Sequence, residues 1–189
     1  MKTMLRVSFT FLLLMTALTG VVYPVATTLI AQAVFPSQAN GSLLVRGGEP
    51  VGSALIGQEF TRPEYFWGRL SATGGAPYNP MASGGTNYGA LHPGVVEAAT
   101  TRLAALRAAD PQGGKAVPLD LLTASASGLD PHISVKAAEH QADRVAAARG
   151  VPAEQVRALI RKHTEGEFLG FSGIAHVNVL KLNLALDRP

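Results

Sequence analysis

Ser127, Asp130 and His132 are the three side chains of a hydrolase triad, and they lie within six positions of one another. In such a triad the imidazole takes the serine proton while the carboxylate orients the ring and stabilises its charged form. Triad members normally converge from separate elements, and the G-x-S-x-G turn that exposes a nucleophilic serine is missing here. The same residues read more simply as structure. Asp130-Pro131 makes a turn ahead of a helix, and Ser127 bonds local backbone. The alternative is an exported hydrolase using Ser127, Asp130 and His132.

Other chemistry finds less support. The histidines His92, His132, His140, His163 and His176 contain no H-x-x-x-H pair and no Asp/Glu cluster accompanies them, so no metal ligands are assigned. Glycine-rich backbone can cradle phosphate, but no Walker A run occurs. Ser83-Gly84-Gly85 resembles the Ser-Gly-Gly core of the ABC-transporter signature, a three-residue match that turn geometry explains as well. No catalytic residue is assigned, and Gln58 has no identifiable partner.

These residues sit in a scaffold whose elements can be placed. From Gly68 to Gly94 the chain is dominated by Gly, Asn, Pro, Ser and Tyr without periodicity, which marks a functional loop or disorder. Tyr65, Phe66, Trp67, Tyr78 and Tyr88 favour an ordered loop. Aromatic residues of this kind are enriched at interfaces, and Arg69 offers a planar fork. We expect the loop to be ordered mainly by docking on a partner. The interface candidates are Gln58, Tyr65, Phe66, Arg69, Tyr78, Asn79, Ser83, Gly84, Gly85, Asn87 and Tyr88. The competing reading has the aromatics closing the domain's own core.

A helix follows from Pro93, with Val95, Val96, Ala99, Leu103 and Leu106 at helical spacing, ending at Asp110-Pro111-Gln112-Gly113-Gly114. Pro118 to Leu122 reads as a turn before the small-residue stretch Thr123 to Gly128. Ser134 caps a second helix with Val135, Ala138, Ala142, Val145 and Ala146 on one face, closed by Gly150. Pro152 starts a third, carrying Val156, Leu159 and Ile160. Val177 to Val179 alternates like a strand, and Leu43 to Val45 is a second short strand candidate. Leu180 to Leu186 shifts phase and bulges or turns helical. The class is α+β.

The first 35 residues differ from the rest. No charge occurs between Arg6 and Arg46, and Val7 to Phe35 is long enough to span a bilayer. Lys2, Arg6 and the α-amino group precede it while only Arg46 follows closely, so the positive-inside bias puts the domain outside. Pro24 should kink the helix, with Thr27 and Thr28 re-satisfying the freed carbonyl. Thr16, Thr19, Gly20 and Ala26 permit close approach of other helices. A cleaved signal peptide ending near Ala31-Gln32-Ala33 competes, but apolar residues continue well past what an h-region needs. The expected plan is residues 1–6 cytoplasmic, 7–35 transmembrane and 36–189 one extracytoplasmic α+β domain. With no cysteine, disulfides and thiolate metal sites are excluded, and a net charge of +3 without basic clusters gives no nucleic-acid footprint.

Several blocks occur in order along the whole chain. They are LIGQ (Leu55 to Gln58), Tyr65-Phe66, Gly68-Arg69 with Ser71-Ala72, Tyr78-Asn79, SGGTN (Ser83 to Asn87), SGLDPHIS (Ser127 to Ser134), Arg144 to Gly150, and VNVLKLNLALD (Val177 to Asp187). In them the chain resembles KdpC, the C subunit of the Kdp potassium-transporting P-type ATPase. It departs from the family pattern at Leu70, Thr86, Ala90, His92 and Ala126. Ser127, Gly128, Asp130, Pro131 and His132 form the second motif-like loop.

The resemblance implies a bacterial inner-membrane complex, with a potassium-channel-like subunit KdpA, a P-type ATPase subunit KdpB and a small subunit KdpF as partners besides membrane lipid. It implies a non-catalytic subunit, described as a catalytic chaperone that raises the pump subunit's affinity for ATP. No cofactor is assigned to this chain directly; ATP acts in the complex. With the bulk of the chain outside, such an effect would be a coupling through the partner subunits.

Overall fold

The computed structural model describes residues 2–89, 91–110, 114, 116–166 and 173–187. The chain divides into two compact units, one running to Pro50 and the other starting at Val51. Ala90 and residues 111–113, named in the sequence reading, lie outside the described residues.

The first unit is dominated by a 33-residue helix, Lys2–Val34, long and apolar enough to cross a membrane and with none of its apolar window buried. It comprises α1 (Lys2–Ala17), a π turn (Leu18–Val22) and α2 (Tyr23–Val34). Proline explains the interruption. Pro24 has no N–H to donate, and its ring crowds the carbonyl four residues back. The π turn widens the helix just before it, and the Tyr23 N–H reaches back to the Leu18 carbonyl. Thr27 Oγ1 donates to the Tyr23 and Pro24 carbonyls at 3.0 and 3.1 Å, rather than to the Gly20 carbonyl that Pro24 leaves without its donor. A single turn, α3 (Pro36–Ala39), follows, with Asn40 Nδ2 donating to the Pro36 carbonyl at 2.7 Å. The strand expected at Leu43 to Val45 forms as β1 (Leu43–Arg46), paired with β2 (Glu49–Ser53).

The second unit is α+β. Helix α4 (Pro93–Ala109) is followed by β3 (His132–Ser134), α5 (Val135–Arg149), α6 (Ala153–Lys162), β4 (Thr164–Glu165), β5 (His176–Asn178) and α7 (Val179–Leu186). The strands form one antiparallel sheet in the order β3-β5-β4, with Val177 opposite both Ile133 and Thr164. Ile133 and Val177 are buried with Ala137, Ala138, Ala142 and Val145 of α5, Val156 and Ile160 of α6, and Leu182 of α7. The small α5 residues let that helix lie close to its neighbours, and a core this apolar supplies the main driving force for folding.

Helix ends follow the caps read from the sequence. Ser134 Oγ accepts the Ala137 N–H at 3.0 Å, and Gly150 closes α5 at φ 66°. Strand β5 ends where the sequence changes phase, because Asn178 Oδ1 accepts the Lys181 N–H at 3.0 Å and caps α7. Helix α4 differs from expectation. Of its apolar stripe only Leu106 is buried, and Val96 is 68% exposed. Val95, Ala99 and Leu103 are half-buried, and so is Arg102, whose guanidinium lies over the Trp67 ring.

Candidate functional site

Three polar side chains inside the core hold the approach to the glycine-rich loop. Asn183 Oδ1 accepts the Phe66 N–H at 2.8 Å and its Nδ2 donates to the Phe66 carbonyl at 3.0 Å. Gln141 does the same for Trp67, at 2.8 and 3.1 Å. Arg144 donates to the carbonyls of Pro63 and Tyr65 and to Gln141 Oε1. Burial lowers the Arg144 pKa to about 10, so the guanidinium stays charged at neutral pH. Phe66 and Trp67 are thereby fixed as core residues at 0% and 6% exposure.

Beyond Trp67 the loop turns back against the segment Ala124 to Asp130. Arg69 donates from Nη1 to Asp130 Oδ2 and from Nη2 to the Ala124 carbonyl, both at 3.1 Å. Leu70 pairs with Ala124 in a parallel bridge, and Ser125 N–H donates to the Leu70 carbonyl. Ser71 Oγ donates to the Gly128 carbonyl at 2.7 Å and accepts the Tyr78 N–H at 2.8 Å. Gly84 N–H and Ser83 Oγ both donate to the Ser127 carbonyl, at 2.9 and 3.1 Å. Gly85 backs onto Ala126 so closely that a Cβ there would meet the Ala126 carbonyl oxygen at 2.8 Å. Gly57 N–H donates to the Leu129 carbonyl, which brings the LIGQ block into the same junction.

Tyr78 is the keystone of this arrangement. Its ring is buried against Gly57 and Gly68, and its hydroxyl donates to the Arg69 carbonyl at 2.7 Å. Burial pushes its phenol up to about 12, so it stays protonated. The residue sits at φ 57°, a left-handed conformation that a bulky side chain holds only when its surroundings dictate it. Asn79 follows with its N–H on Thr73 Oγ1 and its amide on the Gly74 carbonyl.

The triad does not form. Ser127 Oγ accepts the Leu129 N–H at 3.1 Å in a local turn. Asp130 serves the junction: Oδ1 accepts the His132 N–H at 3.0 Å and lies 3.3 Å from the His132 ring, while Oδ2 holds Arg69. Burial alone would raise the Asp130 carboxyl, but the hydrogen bonds from His132 and Arg69 hold it down to about 2. The His132 ring packs edge-on to His176, with centroids 4.5 Å apart. Among the described residues no group of three or more His, Asp and Glu is placed to hold a metal ion.

The interface candidates divide. Phe66 and Tyr78 belong to the domain's own interior, and Tyr65, half-buried, donates to Asp187 Oδ2 at 3.0 Å. Gln58 turns inward and donates to the Val51 carbonyl at 2.7 Å. Ser83, Asn87 and Tyr88 are exposed, with Gly84 and Gly85 half-buried. Tyr88 stacks on His92 at 4.1 Å, and His92 Nδ1 accepts the Gly94 N–H at the start of α4, so the His92 departure supplies both a cap and a ring. Of the residues that hold the loop, Gln141 lies outside every motif block, and Arg144 and Asn183 stand in the blocks with no role assigned from sequence. The available signal was an amide at each position where an apolar residue was due, Gln141 between Ala137 and Val145 and Asn183 within Leu182 to Leu186.

The family described as "K+-transporting ATPase, c chain", KdpC, matches residues 5–188 of this chain. Similar curated proteins are named potassium-transporting ATPase KdpC subunit. That of Polaromonas naphthalenivorans is 59% identical over 187 residues, covering 99% of this chain and 95% of the relative. That of Herpetosiphon aurantiacus is 55% identical over 188 residues, covering 100% and 97%, and that of Variovorax paradoxus 56% over 187 residues, covering 99% and 97%.

Proposed function

The chain belongs to the KdpC family, the c chain of the K+-transporting ATPase, and from that premise we propose that it is a non-catalytic accessory subunit of an ATP-driven potassium importer. The observation that carries the reading is a family match over residues 5–188 that takes in the N-terminal helix as well as the domain. The absorption of Ser127 and Asp130 into backbone-holding roles supports a structural over a hydrolytic use of that loop.

In this reading residues 1–6 lie in the cytoplasm, 7–35 cross the inner membrane and 36–189 stand on the extracytoplasmic side. The channel-like subunit and the P-type pump subunit are its partners, with the small fourth subunit beside the anchor. Its effect on the pump's ATP affinity is then a coupling free energy between separate sites. The exposed stretch containing Met81, Asn87, Tyr88 and Leu91 is the partner-facing part of the loop, with Met81 and Leu91 at 92% and 98% exposure.

The test is a deletion strain lacking other potassium importers. It should fail to grow at micromolar potassium and recover with the full chain; unimpaired growth without the chain defeats the proposal. Pull-down from membranes through this chain should bring the channel-like and pump subunits with it.

A further inference from the structure

Between the start of the glycine-rich loop and α4 lies a cavity of about 70 Å³ lined by Glu59, Gly68, Arg69, Tyr78 and Arg102, among others. A water needs about 10–15 Å³ of such space, so a group of a few heavy atoms fits, whereas drug-sized ligands occupy pockets of roughly 300 Å³ or more.

Of the two guanidinium groups at this cavity, only that of Arg69 forms an ion pair among the described residues. Arg102 donates to the Gly68 carbonyl at 2.9 Å and to the Leu121 carbonyl at 3.3 Å, and makes no ion pair among the described residues. Its pKa is lowered by burial, which outweighs the opposing influence of Tyr78 and Glu59. Such groups are normally paired. Arg69 shares its one carboxylate, Asp130, with His132, and its Nε is buried with no hydrogen-bond partner. Tyr78 brings no negative charge, because its phenol stays protonated. Glu59 lines the same cavity but is itself exposed.

We propose that this cavity is a carboxylate site, taking one carboxylate-sized anion beside the guanidinium groups of Arg69 and Arg102. A planar two-oxygen group matches the fork geometry of guanidinium donors. The carboxylate comes either from an acidic side chain of a neighbouring subunit or from a small acid in solution. The cavity is a property of this chain alone, so the site stands or falls independently of the subunit reading.

The full-length protein in detergent is melted against increasing sodium acetate, with ionic strength held constant by sodium chloride. Acetate should raise the melting temperature saturably and chloride should not. Arg102→Gln should abolish the acetate response, while Arg107→Gln, exposed in the last turn of the same helix, should retain it. Glu59→Gln removes a competing charge near the site without touching a described hydrogen bond, and should tighten the acetate midpoint by about two- to fivefold, the worth of an exposed charge pair. That variant keeps the test alive if Arg102→Gln does not fold. Equal responses to acetate and chloride in the unaltered protein, or an unmoved midpoint in Glu59→Gln, overturn the proposal. Repeating the titration in the assembled complex separates the sources: a lost response assigns the carboxylate to a neighbouring subunit, and a retained one to a free acid.

Discussion

The side-chain amide of Asn183 meets both backbone polar groups of Phe66, 117 residues away, as a neighbouring strand would. Gln141 repeats the device on Trp67. Two side chains from two helices thus replace a missing strand, and two successive loop residues enter the core with their backbone satisfied. The rest of the loop is hung from this point.

Asn183→Leu keeps the branched four-atom outline but leaves the Phe66 N–H and carbonyl unpaired in the interior. Each such group costs about 1–3 kcal/mol, so the substitution should destabilise the protein by about 2–6 kcal/mol. Thermal melting of the full-length chain in detergent checks this. An unchanged melting temperature would mean the two bonds contribute nothing.

Tyr78 and Tyr88 should behave oppositely. Tyr78→Ala empties a buried ring site and should cost about 3 kcal/mol or more, and Tyr78→Phe, which loses only the bond to the Arg69 carbonyl, about 1 kcal/mol. Tyr88→Ala, at an exposed ring, should leave the melting temperature within the usual surface range. It should instead reduce recovery of the partner subunits from membranes. Full recovery with Tyr88→Ala removes that ring from the proposed interface.

Asp130 makes stability depend on acid. Its folded value of about 2 lies below the 3.8 of a free carboxyl, so its contribution is complete above that higher value. It is lost as pH falls from about 5 toward 2. At a half-exposed site screening leaves about 1 kcal/mol. Asp130→Asn should lower stability at neutral pH and flatten the acid limb of a plot of melting temperature against pH. An acid limb as steep as in the unaltered protein would show that other carboxylates carry it.

Two glycines with nearly equal backbone angles should differ in tolerance. Gly128 sits at φ 68°, and a Cβ there would meet the Gly84 carbonyl oxygen at 2.9 Å. Gly150 sits at φ 66° with nothing within 4 Å. Gly150→Ala should cost only the left-handed strain, about 1–2 kcal/mol. Gly128→Ala should cost more and should loosen the Ser83 to Gly85 contact, visible as faster amide exchange at Gly84. Equal costs would deny that the two loops press together there.

Periodicity and caps made the helices legible, since Ser134, Gly150 and Pro152 mark their ends by chemistry that acts within a turn. The long apolar N-terminal helix was legible by length alone. Strands β3 and β4 were not, because two or three residues cannot display alternation. Within the site, the motif blocks did converge, but which aromatics face inward was decided by partners more than seventy residues away, Gln141 and Asn183. Such pairing leaves no local pattern. The stripe on α4 is only partly covered, and Arg102, which lies outside it, places its guanidinium over Trp67.

The π turn at Leu18–Val22 has a consequence for the compass bearings of the N-terminal helix. It holds about one residue more than an α turn, and one residue is about 100° of rotation about the axis. Thr16 and Ala26, about 80° apart on an uninterrupted helical wheel, are therefore turned to nearly opposite sides. Placed across a bilayer as proposed above, each half of the helix would present its own bearing to its own leaflet. One helix could then meet two neighbours that are not stacked above each other, and deleting Thr19 would restore the uninterrupted register without shortening the apolar span below what a membrane needs.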